Sequence, residues 1–155
     1  MKYQVVALVV LGFLAGILTV QAAQDLQLPR SPLSPERASP QDWVSESKIH
    51  ITDDYVRIDV PGAVWAKFAD SNSMDPLIDT GANGIQIIPT SPDQLKIGDV
   101  VTYDLDGKKI IHRIVDIGQD SKGYYFILKG DNNPEPDPEP VRFEDIERVL
   151  IAVVY

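Results

Sequence analysis

Apolar and polar positions change rhythm twice along this chain. An apolar run from Val5 to Val20, extended by Ala22 and Ala23, is just long enough to span a bilayer. Two readings are open: an uncleaved anchor, favoured by the length of the run, or a removable signal peptide, since Val20-Gln21-Ala22 spaces small residues as a cleavage site requires. Lys2 and the amino terminus would hold the short end in the cytoplasm and send the rest outside. Residues 1–23 are thus expected as a single transmembrane signal-anchor helix, with the lipid bilayer as partner. From Gln24 to Ser47 the periodicity disappears. Pro29, Pro32, Pro35 and Pro40 stand among serines and charges, which removes backbone donors and leaves little to bury, so residues 24–47 read as a Pro/Ser-rich linker. Trp43 and Val44 are the two positions there suited to packing on a domain.

Beyond the linker the rhythm is that of strands. Val56, Ile58 and Val60 alternate with Arg57 and Asp59, the period of a half-buried strand. Further short runs are Val64–Phe68, Ile85–Ile88, Val100–Tyr103, Ile110–Ile117, Tyr124–Lys129 and Val149–Val154. Asp106-Gly107 predicts a tight hairpin turn, because both residues tolerate the positive φ it demands. Helical period is confined to a turn or two at Met74–Asp79 and Phe143–Val149. Residues 48–155 are therefore expected as one compact all-β domain, barrel-like or sandwich-like, with short helical turns.

Composition narrows the chemistry. Fourteen Lys+Arg against 23 Asp+Glu give a net charge of −9, with no basic stripe to follow phosphates, so no nucleic-acid partner is expected. The chain has no cysteine and two histidines, His50 and His112, which argues against a thiolate or multi-histidine metal site and against a cysteine nucleophile. No cofactor is implied.

Three blocks carry side chains capable of hydrolytic chemistry: Ser71-Asn72-Ser73-Met74-Asp75-Pro76, Ile111-His112-Arg113-Ile114, and Lys129-Gly130-Asp131-Asn132-Asn133. A hydroxyl becomes a nucleophile when a base takes its proton, and an imidazole serves as that base when its charged form is stabilised and its ring held. Each residue also has an ordinary reading. Ser73 and Ser71 suit turn or capping positions, and Ser71 could alternatively donate to an oxyanion beside the Ser73 amide. His112 falls in a strand with Ile110 and Ile114 on its face, where a histidine is commonly a satisfied core residue; burial and a neighbouring carboxylate together would instead suit a general base. Asp131 fits an Asx-turn. Asp137 lies among alternating prolines from Pro134 to Pro140, either a solvated acidic loop with Glu135 and Glu139 or a rigid path that aims its carboxylate. His50 receives no role.

Taken in this order, the blocks resemble the type I signal peptidases. Ser71–Pro76 matches that family's nucleophile motif, Leu95-Lys96-Ile97-Gly98-Asp99-Val100-Val101 its next strand block, and Gly130-Asp131-Asn132 its last, over about Val64 to Tyr155. Bacterial members carry a lysine base before arginine and a β-branched residue; here His112 precedes Arg113-Ile114, as in the archaeal and endoplasmic-reticulum type. The resemblance implies a membrane-anchored serine endopeptidase that cleaves signal peptides after small residues (Ala-x-Ala-like), with its catalytic domain on the extracytoplasmic side of the cell membrane and signal-peptide-bearing preproteins as partners. It implies Ser73 as nucleophile, His112 as general base, Asp137 as the direct orienting partner with Asp131 in support, and an oxyanion hole from Ser71 and Ser73. Activity would rise as an imidazole loses its proton, roughly between pH 6 and 7. The proline-rich loop departs from the family's usual spelling, which leaves the choice between Asp131 and Asp137 open. LexA-like self-cleaving repressors share the β architecture and a serine, but use a lysine base; Lys108 and Lys109 fall on the hairpin start, not in the slot before Arg113. A domain without turnover that only binds extended peptides at the membrane is the remaining alternative. Val64, Trp65 and Phe68 suit either the core or the membrane interface.

Overall fold

The computed structural model describes residues 36–155, and the expected transmembrane helix lies outside them. Among the described residues, no helix is long and apolar enough to cross a membrane. The compact unit that carries the β structure spans Arg37–Tyr155.

Nine strands form it: β1 (Ile49–Ile51), β2 (Val56–Ile58), β3 (Val64–Lys67), β4 (Asn83–Ile87), β5 (Val100–Leu105), β6 (Lys108–Asp120), β7 (Gly123–Lys129), β8 (Val141–Arg142) and β9 (Ile146–Val154). β1 and β2 make a small hairpin; the other strands form an antiparallel sheet in the order β3-β4-β9-β5-β6-β7-β8. The architecture is mostly antiparallel sheet with short helical turns, consistent with a compact signal-peptidase or LexA-like β fold. β1 and β8 were not legible in the alternation, since three and two residues are too short to show a period. The expected helical turns reduce to one 3₁₀ turn at Phe143–Asp145 and an irregular turn after Ser73, held by Ile78 N–H donating to the Met74 carbonyl at 3.1 Å.

Asp106-Gly107 sets the central register. Both residues have positive φ, 52° and 80°, which suits a two-residue turn whose twist matches its strands. Leu105 then faces Lys108, Tyr103 faces Ile110 and Val101 faces His112. Because side chains alternate, the sheet separates two apolar clusters. Val101, Tyr103, Ile114, Phe126, Leu128 and Val149 belong to the larger; Met74, Ile78, Val100 and Leu150 form the smaller.

Part of the stretch expected as linker is fastened to this unit. Asp99 is fully buried, and its carboxylate accepts from Gln41 N–H (3.1 Å), Gln41 Nε2 (2.8 Å), Trp43 Nε1 (2.9 Å) and Lys96 N–H (2.9 Å). Trp43 packs on the larger cluster. Gly98 has φ +104°, and a Cβ there would collide with the Ser39 carbonyl. A buried charge with several donors, together with the packing of Trp43, thus holds this segment.

Candidate active site

The loop that leaves β3 is anchored by two apolar side chains. Met74 and Ile78 are buried, which leaves Ser73 half-buried and Ser71 exposed at the surface. The loop is laced to the turn after β7: Asn132 N–H donates to the Ser73 carbonyl at 2.9 Å, Asn132 Nδ2 to the Asn72 carbonyl at 3.0 Å, and Asp131 N–H to Met74 Sδ at 3.3 Å. Gly130 permits this closeness, since a Cβ there would stand 2.6 Å from the Ser73 carbonyl oxygen. The serine and the Gly-Asp-Asn turn therefore form one rigid junction.

Strand β6 presents His112 and Arg113 to different partners. His112 is 6% exposed, and its Nδ1 lies 2.9 and 2.8 Å from the two carboxylate oxygens of Asp137. An ionised carboxylate only accepts, so Nδ1 carries the proton and Nε2 is the basic nitrogen. Asp137 comes from a loop whose surroundings are exposed: Glu135 and Glu139 point to solvent, while Asp137 is half-buried. Its own N–H donates to the Leu128 carbonyl at 2.8 Å, which ties the proline-rich loop back onto β7.

Asp131 goes elsewhere. Its carboxylate takes a two-pronged bond from Arg113, Nε at 2.8 Å and Nη2 at 2.6 Å, and Arg113 Nη1 also donates to the Gly98 carbonyl at 2.7 Å and the Ala38 carbonyl at 3.3 Å. Arg37 Nη2 reaches the Asp131 carbonyl at 2.5 Å. The two aspartates thus serve different partners, Asp137 the imidazole and Asp131 the guanidinium.

Ser71, Ser73 and His112 line one groove of about 1110 Å³, which crosses β3, β4, β9, β5 and β6. That exceeds the ~300–1,000 Å³ of small-ligand pockets and has room for a chain segment. Its walls include Ala66, Ala69, Ile111 and Ile146, small and apolar groups. Ser73 Oγ lies 3.2 Å from Ser71 Oγ, and no hydrogen bond joins Ser73 to His112 among the described residues. Nucleophile–base separations in free enzymes are commonly long and close on substrate, and Ser73 is half-buried in the groove wall. His50 bonds to Asp59 at 3.0 Å, on the β1–β2 hairpin rather than in this groove. Lys109, three residues before His112 and opposite Asp104, is ion-paired with Glu147 and Asp104. Its ammonium is thereby held protonated, with the Glu147 bond the largest cause of a raised pKa. Trp65 is 63% exposed and Phe68 packs on the smaller cluster.

Two participants were not singled out by sequence. Tyr103 Oη donates to Asp137 at 2.8 Å, and Asn132 binds the serine loop. The first was in principle legible, because the Asp-Gly turn fixes Tyr103 diagonal to His112; the second depends on loop packing alone. Among the described residues no group of three or more metal-ligating side chains converges.

The chain is homologous to signal peptidases over part of its length. Signal peptidase I W of Bacillus subtilis (strain 168) is 38% identical over 77 residues, covering 49% of this chain and 40% of the relative. The signal peptidase complex catalytic subunit SEC11 of Candida albicans (strain SC5314) is 36% identical over 69 residues, 43% of this chain and 40% of the relative. An uncharacterized protein of Methanocaldococcus jannaschii is 46% identical over 46 residues, 30% of this chain and 23% of its own. The matches thus span well under two thirds of these relatives. No family model and no solved structure matches.

Proposed function

We propose that this chain is a serine endopeptidase of the histidine-using signal-peptidase type, which removes signal peptides from exported proteins at the outer surface of a membrane. Residues 1–23 anchor it, and the domain faces the extracytoplasmic side. The reading is carried by one observation: a buried imidazole with an aspartate carboxylate on Nδ1 shares a groove with Ser73. The partial homology to signal peptidases supports it.

In the proposed reaction a preprotein lies extended in the groove, with small residues before the cut against Ala66 and Ala69. His112 Nε2 takes the Ser73 proton as Oγ bonds to the scissile carbonyl carbon. The Ser73 amide and the Ser71 hydroxyl donate to the resulting oxyanion. The imidazolium, stabilised by Asp137, returns its proton to the leaving amine, and the C–N bond breaks. Water then repeats the sequence on the acyl-serine and releases the signal peptide's new carboxyl end. Asp131 acts at one remove, by holding Arg113 and the turn that grips the serine loop.

The test is cleavage of a reporter preprotein with an Ala-x-Ala site by the full chain in detergent. Ser73→Ala and His112→Ala should each lower kcat by about 10⁴-fold or more, and Asp137→Asn by roughly 10²–10⁴-fold. Full cleavage by His112→Ala overturns the assignment of the base. Tight binding of the reporter without turnover in the wild type would favour the peptide-binding module, for which the absence of a Ser73–His112 hydrogen bond is the supporting feature.

A further inference from the structure

The Asp137 carboxylate has a second partner. Tyr103 Oη donates to Oδ2 at 2.8 Å, the same oxygen that lies 2.8 Å from His112 Nδ1. Tyr103 is 2% exposed, and its ring stands tilted against the imidazole with centroids 6.3 Å apart. Register explains the meeting: Val101 faces His112 and Tyr103 faces Ile110, so the phenol lies diagonal to the imidazole on the same side of the β5–β6 pair. The ring cannot swing away, because it is packed in the larger cluster.

We propose that Tyr103 is a positioning residue for the reaction above, its hydroxyl fixing the rotation of the Asp137 carboxylate and drawing charge from it, so that His112 keeps the Nδ1–H tautomer with moderated basicity. This rests on the peptidase reading. Without a donor on Oδ2 the carboxylate could turn, and its full charge would hold a proton on the imidazole more tightly. Tyr103 is suited to the task because it does not ionise in the working range. Burial first, then the bond to and the charge of Asp137, push its phenol far above the ordinary range.

Of the other charged groups near His112, Lys109 and Arg113 are ion-paired. Across the groove, Lys109 pairs with Glu147 and Asp104, and Glu144 and Arg148 line the wall; behind β6, Arg113 pairs with Asp131. A change at Tyr103 thus reaches His112 through Asp137.

The experiment compares wild type, Tyr103→Phe and a chain with 3-fluorotyrosine at position 103, each full length in detergent micelles. Removing the hydroxyl should lower kcat on the Ala-x-Ala reporter about tenfold with KM within about twofold, and move the ascending limb of kcat/KM upward in pH. The fluorinated phenol, a stronger donor, should move it downward. A merely structural ring would not produce opposite displacements. A readout without turnover comes from histidine-labelled NMR, since the chain has two histidines. The His112 titration should move upward in Tyr103→Phe while that of His50 stays in place. An unmoved His112 titration in both variants overturns the proposal. Should wild type and Ser73→Ala be equally inactive, the peptidase reading fails, while the NMR comparison still decides whether Tyr103 controls the pair.

Discussion

Asp99→Asn is the substitution that best tests how the amino-terminal segment is held. It changes shape hardly at all, yet it converts one acceptor oxygen into a donor where every neighbour is a donor. Oδ1 receives Gln41 N–H and Trp43 Nε1; Oδ2 receives Gln41 Nε2 and Lys96 N–H. Placing the new amide at Oδ1 sets it against two donors. At Oδ2 the Gln41 side chain could flip to accept from it, but that forfeits the Gln41 Nε2 bond to the Gln94 carbonyl at 2.6 Å and still leaves Lys96 N–H opposed. Either arrangement costs about two hydrogen bonds around a fully buried carboxylate. At about 1–3 kcal/mol for each buried group left unsatisfied, destabilisation of about 2–6 kcal/mol follows. For a unit of this size that lowers the unfolding midpoint by roughly 8–24 °C. Thermal unfolding of the full chain in detergent measures it, and Trp43 emission in a Trp65→Phe background follows the segment itself. Tryptic cleavage at Arg37 should accelerate in parallel. A midpoint within about 2 °C of wild type, with unchanged cleavage, would refute the view that this carboxylate fastens the segment.

Gly98→Ala should destabilise by at least about 1 kcal/mol, read by the same melt, because its φ of +104° strains any side chain and the new Cβ meets the Ser39 carbonyl. Asp131→Asn and Asp137→Asn should separate stability from turnover: the first weakens a buried pairing with Arg113 and lowers stability by up to about 3 kcal/mol, while the second lowers kcat with a smaller shift in melting. Stability should also fall at high pH. Tyr103 has a folded pKa raised above the ordinary 10.0, so its contribution is complete below that value and is lost as pH rises beyond it through the folded pKa. Tyr103→Phe should lack this component, which pH-dependent denaturant midpoints would reveal.

The chain's local chemistry determined the strands and their turn. Alternation in Val56–Val60 and the longer runs from Val64 onward marked where backbone would pair, and Asp106-Gly107 alone prescribes which residues of β5 and β6 face each other, because a two-residue turn leaves no freedom of register. Serine, histidine and two aspartates could be named as candidates on the same basis. Which aspartate meets His112 and which Arg113 could not, since it depends on how a loop returns. Asp131 follows β7 directly, where Lys129 faces Arg113, and stays at the level of that guanidinium. Asp137 lies six residues on, and the bonds from its N–H to the Leu128 carbonyl and from Tyr103 Oη to its carboxylate hold that side chain inward between exposed glutamates. The docking of residues 37–43 was legible only at Trp43, because a proline- and serine-rich stretch has no period, and much of its fastening resides in one buried charge contributed by a distant turn. Alternation reports what a residue's own neighbours bury; contacts made by single polar atoms across long loops leave no trace in it.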